Sequence, residues 1–182
     1  GSRVTLLAKN SGGDPFDEAC SKIWWELAER FPDYPIPASC LSATVELRGI
    51  RDVSHQTASA DAKNIMLFLK RRGFITGKSI KPPRLLKEAT PLAGVEHVKS
   101  SSAGVVVFCK EIGEVVRKGD LIAEVVNPLG KNAVDRVKKI RCQSEGVLFT
   151  KVADRYAKPN RIIAKIAGKE PLKGKGKHLL TL

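Results

Sequence analysis

The hydrophobic period changes along this chain, and the changes mark out its parts. Val4-Thr5-Leu6-Leu7-Ala8 is a short apolar run, and Asn10-Ser11-Gly12-Gly13 closes it as a turn signal. Asp14 is then placed to cap a helix with Pro15 at its first position, where the missing N–H costs no hydrogen bond. Phe16, Ala19, Cys20, Ile23 and Leu27 recur at helical spacing and predict a buried stripe that Pro32 ends. Beyond a Pro-rich loop from Pro32 to Pro37, Ser42–Gly49 alternates. Ala43, Val45 and Leu47 fall on one face and Thr44, Glu46 and Arg48 on the other, the period of a strand buried on one side. A second helix is expected over about Ala60–Arg72, with Ala62, Ile65, Met66 and Leu69 inward and Gly73 as its stop. Strand–helix–strand–helix order predicts an α/β layer with parallel strands. Two strands are only a piece of such a layer, because parallel strands need neighbours and cover on both faces.

From Gly77 to Pro91 the chain turns basic and Pro-bearing, which reads as a linker. After it the helical period vanishes and the sequence repeats itself. Ser102-Ala103-Gly104-Val105-Val106-Val107 matches Ser144-Glu145-Gly146-Val147-Leu148-Phe149, and Val116–Val125 matches Ala157–Ile166. Each copy has a Gly-Val start to a strand, a polar turn and a second β-branched strand. Two such units bury their apolar faces only against each other, which predicts a small closed β-barrel or sandwich. The expected organisation is residues 1–77 as the C-terminal portion of an α/β domain, 78–90 as linker, 91–168 as the β-domain and 169–182 as a basic tail. Gly1-Ser2 reads as a cloning remnant, so the natural chain is expected to extend upstream.

Composition adjusts this picture at three points. The 182 residues are 42% hydrophobic and 28% charged, the balance of a water-soluble globular chain, and no apolar run is long enough to span a bilayer. With no export signal at the start, the reading is a cytoplasmic protein without a membrane partner. The net charge of +13 favours anionic substrates or partners and keeps nucleic acid as a rival. Against that rival, the cations are spread along the chain and aromatic residues make up only 5%, leaving few platforms for stacked bases. Cys20, Cys40, Cys109 and Cys142 form no CxxC pair and read as reduced, buried hydrophobes.

The repeated half resembles the biotinyl/lipoyl-type barrel-sandwich hybrid, most clearly in Gly113-Glu114-Val115-Val116-Arg117-Lys118-Gly119-Asp120-Leu121-Ile122. Carriers of that type modify a lysine at a hairpin tip. Lys131, in Asn127-Pro128-Leu129-Gly130-Lys131-Asn132, lacks their flanking residues and reads as a turn lysine. Taken with Thr44-Val45-Glu46-Leu47-Arg48-Gly49, Asp61-Ala62, Phe68-Leu69 and Gly73-Phe74-Ile75-Thr76-Gly77, the chain resembles the end of the catalytic domain, plus the β-domain, of the succinylglutamate desuccinylase/aspartoacylase family. That resemblance implies a zinc-carboxypeptidase-like deacylase acting on a small carboxylated amino-acid derivative. It implies Glu46 as the residue exchanging protons with a metal-bound water and Tyr156 as a donor to the substrate carboxylate. Arg48 is a further candidate for an anionic substrate, because a guanidinium matches a carboxylate bidentately. The alternatives are a stand-alone biotinyl/lipoyl-like binding barrel and a basic nucleic-acid-binding protein.

The family's zinc is held by a His-x-x-Glu pair and a later histidine. His55, His97 and His178 are the histidines here, and none begins His-x-x-Glu. Zinc is therefore implied for a full-length parent, with ligands that this chain does not carry; His55 reads as a loop residue and His178 as part of the tail. The purified chain is accordingly expected to hold no stoichiometric catalytic zinc and to show no deacylase activity. Elemental analysis finding one tightly bound zinc per chain, lost on altering Glu46 or His55, would overturn that reading.

Overall fold

A computed structural model describes residues 4–8, 15–78, 80–82, 84–85 and 87–174. The expected turn at Asn10–Gly13, the Asp14 cap, and the part of the tail from residue 175 onward, with His178, lie outside the described residues. The chain is mostly β-sheet with two long helices, and no described helix is long and apolar enough to cross a membrane. It divides into two compact units, one within residues 44–86 and the other within 2–43 and 87–182.

The second unit contains the repeat. Strands β3 (Val95–Lys99), β4 (Gly104–Phe108), β5 (Val115–Val116) and β6 (Leu121–Val126) precede the single-turn helix α3 (Ala133–Arg136). Strands β7 (Val137–Arg141), β8 (Gly146–Lys151), β9 (Tyr156–Ala157) and β10 (Ile162–Gly168) follow it. They form two antiparallel four-stranded sheets, ordered β3-β10-β8-β5 and β7-β6-β4-β9. Val106, Ile122 and Val125 from one sheet and Leu148, Ile163 and Ile166 from the other belong to a single apolar cluster. Fully burying side chains of this size contributes about 1.5–3 kcal/mol each, so this core carries most of the chain's stability.

The two copies found in the sequence superimpose strand for strand in this topology: β4 corresponds to β8, β5 to β9, β6 to β10 and β7 to β3. Even the turns match. Gly119 and Asn160 occupy the same turn position and both take positive φ, +91° and +64°, a region that Gly and Asn tolerate best. Gly119 N donates to Cys142 O at 2.9 Å, and Asn160 N to Ser100 O at 2.8 Å. The first glycine of each copy is set by close approach. A Cβ on Gly104 would lie 2.4 Å from Val126 O, and one on Gly146 would lie 2.2 Å from Ala167 O.

Ahead of the sheets, β1 (Leu6–Leu7) pairs in parallel with β2 (Thr90–Pro91), and α1 spans Phe16–Arg30. The helix ends where Pro32 was expected to stop it, but its predicted stripe is not buried: Phe16, Ala19, Cys20 and Ile23 are exposed. The cysteine expectation is corrected too. All four are free thiols, yet Cys20 and Cys109 are exposed and Cys40 half-buried; Cys142 alone is buried.

The first unit departs furthest from expectation. The strand predicted over Ser42–Gly49 is absent: residues 35–47 form no regular element, and Val45 and Leu47 are exposed. A period-two pattern makes a strand only where a neighbour completes its ladder, and no described strand pairs with this segment. Arg48, at φ +66°, also turns the backbone out of the extended region. Helix α2 runs from His55 to Arg71 and begins five residues before the expected Ala60. Ser54 caps it, its Oγ accepting from Thr57 N at 3.1 Å. His55 is thus the first helical residue rather than a loop histidine. None of α2 is buried, and Ile65, Met66 and Phe68, on or beside its predicted inward face, are exposed.

Gly146→Ala is expected to destabilise the chain by about 1–3 kcal/mol, because the new methyl group meets a backbone carbonyl rather than a movable side chain. Urea unfolding followed by tryptophan-independent far-UV circular dichroism checks this, and an unchanged midpoint would contradict the packing described.

Candidate functional site

Glu46 lies in the irregular segment before α2 and is exposed. The strand geometry that would align Thr44, Glu46 and Arg48 on one face is not present, since Arg48 sits in the left-handed region. That turn is built locally. Asp52 Oδ2 accepts from Gly49 N at 3.0 Å, and Asp52 N donates to Gly49 O at 3.0 Å. It delivers the Arg48 guanidinium to the Asp61 carboxylate on α2, where Nη1 donates to Oδ2. The hydrogen bond from Arg48, with its charge, holds the Asp61 carboxyl below the usual carboxylate range. The same bond and charge raise Arg48. Arg48 therefore already has a carboxylate partner within its own unit, and an anionic ligand there competes with Asp61.

Tyr156 belongs to the other unit, on β9 rather than in a loop. Its neighbour Ala157 points into the core, so the phenol side faces outward and is half exposed. Its backbone is clamped: Tyr156 N donates to Asp154 Oδ1 at 3.0 Å, while Arg161 Nη1 donates to Asp154 Oδ2 at 2.9 Å and to Tyr156 O at 2.7 Å. Asp154 and Arg161 position this tyrosine, and neither was singled out in the sequence. The signal was present, since an aspartate two residues ahead of an amide is the Asx-turn arrangement. Beside Tyr156, the Arg155 guanidinium lies 4.8 Å from the Phe108 ring centroid, with Lys151 at 5.1 Å from the same ring.

Other candidates separate clearly. Lys131 lies in the connection after β6, where Arg136 Nε donates to Gly130 O at 2.8 Å. His97 is on β3 and helps line a groove of about 310 Å³ with Glu96, Lys99, Arg141, Gln143 and Leu172; Glu46, Arg48 and Tyr156 do not line it. The Glu96 carboxylate there is engaged structurally, accepting from Gln143 N at 2.8 Å, from Ser144 N at 2.7 Å and from Ser144 Oγ. Burial pushes the Cys142 thiol above its usual value, with the Glu96 charge adding to the effect, and its Sγ is 2.9 Å from Arg117 O. Among the described residues no group of three His, Cys, Asp or Glu could hold a metal ion, so the residues present do not fit a zinc centre.

Neither a protein-family model nor a curated protein matches the sequence. Solved structures do match. The chain is similar to a succinylglutamate desuccinylase/aspartoacylase family protein from Shewanella amazonensis, at a TM-score of 0.79 and 24% identity, over 91% of this chain and 46% of that one. A second protein of that description, from Shewanella frigidimarina, matches at a TM-score of 0.72 and 22% identity, over 86% of this chain and 42% of that one. An ectoine utilization protein from Ruegeria pomeroyi matches at 0.51 and 18%, over 64% of this chain and 36% of that one. The likeness is one of fold, and the resemblance read from the sequence holds at that level. The chain spans less than half the length of these solved relatives.

The Arg48–Asp61 pair gives a test with a definite sign. Because its folded pKa is lowered, Asp61 contributes stability above its unfolded value of 3.8, and that contribution is lost as pH falls through the lowered folded value. A carbon-detected NMR titration should place the Asp61 midpoint below 3.8 and move it up toward 3.8 in Arg48→Gln. A midpoint indifferent to that substitution would show that the pair does not form in solution.

Proposed function

We propose that this chain is the C-terminal part of a zinc-dependent hydrolase of the succinylglutamate desuccinylase/aspartoacylase kind. As a whole, that enzyme cleaves an amide bond in a small N-acyl amino acid or related carboxylate. The observation that carries the reading is the fold match over 91% of this chain to less than half of a family protein. The exposed apolar faces of α1 and α2 support it, since amphipathic helices gain their stability from a covering layer. So does the alternating segment at residues 43–47, which has the pattern of a strand although no described strand pairs with it. The repeated β-domain would be the barrel-sandwich-hybrid-like module that shapes the site's mouth.

On this reading Glu46 transfers protons at the scissile amide, Tyr156 donates to the substrate carboxylate, and Arg48 exchanges Asp61 for that carboxylate. The zinc ligands belong to polypeptide outside this chain, so no step is assigned here to the metal. The net charge of +13 suits a small anionic substrate by long-range attraction, and the compartment proposed is the cytoplasm.

The test begins with the reading frame upstream of Arg3. A His-x-x-Glu pair encoded there supports the assignment, and its absence removes it. In the full-length enzyme, Glu46→Gln keeps size and fold but takes away the proton acceptor. Turnover of N-acyl aspartate or glutamate substrates should fall about a hundred- to ten-thousand-fold with zinc content unchanged. Near-normal turnover would remove Glu46 from the reaction.

A further inference from the structure

The internal twofold of the β-domain allows each surface to be compared with its counterpart, and one pair of counterparts differs sharply. On the outer face of the β3-β10-β8-β5 sheet, Val95, Ala167, Val147 and Val115 stand in register as one row across all four strands. On the outer face of the β7-β6-β4-β9 sheet, the equivalent row is Val137, Val126, Val105 and Tyr156. Both rows are apolar and outside the shared core, because each member adjoins in sequence, or alternates with, a residue that points into it. In the first row Val95, Ala167 and Val147 are only 2%, 4% and 6% exposed, and Val115 at its β5 end is open at 58%. In the second, Val137, Val105 and Tyr156 are 37%, 46% and 51% exposed and Val126 is half-buried, so the two rows differ on three of their four strands. Val107, next along β4, adds to the open row at 48%.

At the covered end of the other sheet the chain enters β3 through a 3-10 turn, Leu92–Gly94. Thr90–Gly94 lies against β10 there: a Cβ on Gly94 would come within 2.8 Å of Gly168 O, and Leu172 N donates to Ala93 O at 3.0 Å. The open row likewise crosses four strands and is made mostly of valine. Its rim is cationic. Arg136, Lys139 and Arg141 are exposed at or beside β7, and Arg155 and Lys158 flank Tyr156 on β9. Glu124 lies within the face, between Val107 and Lys139 in the ladder.

We propose that the outer face of the β7-β6-β4-β9 sheet docks an extended acidic polypeptide segment, laying apolar side chains on the Tyr156–Val105–Val126–Val137 row and carboxylates on the cationic rim. Charge complementarity selects this occupant. A second copy would bring the same cationic rim, on a chain of net charge +13, against itself. Nucleic acid would leave a row of valines without a base to stack. Attraction across the rim mainly sets partner choice and association rate, while the apolar row supplies the water-excluding centre. The valine row plays no part in the hydrolase reading; Tyr156 is common to both, and a docked segment would compete there with a substrate carboxylate.

The test uses the nitrogen-15-labelled 182-residue chain and a synthetic eight-residue peptide alternating valine and glutamate. Saturable shifts are expected at the amides of Val105, Val126, Val137 and Tyr156. Raised salt should weaken them, and the Val105→Ser/Val107→Ser chain should bind roughly tenfold more weakly. Both valines are exposed, so the variant is expected to fold, and the wild-type shift map reads the site without it. Three results would overturn the proposal: shifts centred elsewhere, equal binding of a control peptide alternating valine and lysine, or equal binding of oligothymidine at these residues. Sedimentation showing a wild-type dimer that Val105→Ser dissociates would also overturn it, by assigning the face to a second copy.

Discussion

Strands β5 and β9 are two residues long, too short to hold anything by their own ladders, yet each completes the sheet that the other repeat builds. Val115–Val116 pairs with β8, and Tyr156–Ala157 pairs with β4. This exchange prevents either repeat from closing its core alone. Val116 and Ala157, both fully buried, are the residues each copy places among the other's side chains. The turns that follow must then bring the chain back to its own sheet within a few residues. That return is why positive φ recurs at Gly119 and Asn160. Close packing at the strand starts excludes a Cβ from Gly104 and Gly146. Stability, turn chemistry and glycine placement in this half all descend from one topological exchange.

How much of this was legible in the sequence depended on whether the signal was local. The repeat was readable because each copy carries its own turn residues and β-branched runs, and those fix hairpin-like geometry whatever lies around them. Residues 43–47 misled for the opposite reason. Alternation reports which face a strand would bury, not whether a partner exists to make it a strand, and here no described strand pairs with it. The stripe of α1 fails in the same way, since helical spacing is satisfied while its cover is missing. The apolar period places the start of α2 too late, because the cap at Ser54 stands several residues ahead of the first inward apolar side chain and no Glu or Gln at the third position completes a capping box there. In the candidate site, identities were visible but contacts were not. Asp61 as the partner of Arg48, and Arg161 as the clamp on Tyr156, lie 13 and 5 residues away, across turns whose conformations the sequence pattern does not specify.

Charge acts at two ranges in this molecule. At contact range it is conservative: Arg48 meets Asp61, Lys151 meets Glu111 and Arg161 meets Asp154, and each pair fixes a loop more than it adds stability at such exposed positions. At longer range the cations outnumber the anions, 32 Lys and Arg against 19 Asp and Glu, and the chain as a whole carries +13. The local pairs explain how side chains are aimed, while the surplus sets the sign of the net charge around them.

The strand that completes the second repeat is β3, and it comes before the first repeat rather than after β10. Relative to a plain tandem duplication, the β-domain is thus circularly permuted. Val95 and Ala167, near its two ends, are ladder partners, and Gly94 and Gly168 pack backbone against backbone. A peptide of a few residues could join those ends without disturbing either sheet. New termini could then open in the exposed connection around Leu129, between β6 and β7. The order of strands along the chain is therefore one of several that this packing would accept, whereas the order of strands in space is what the packing requires.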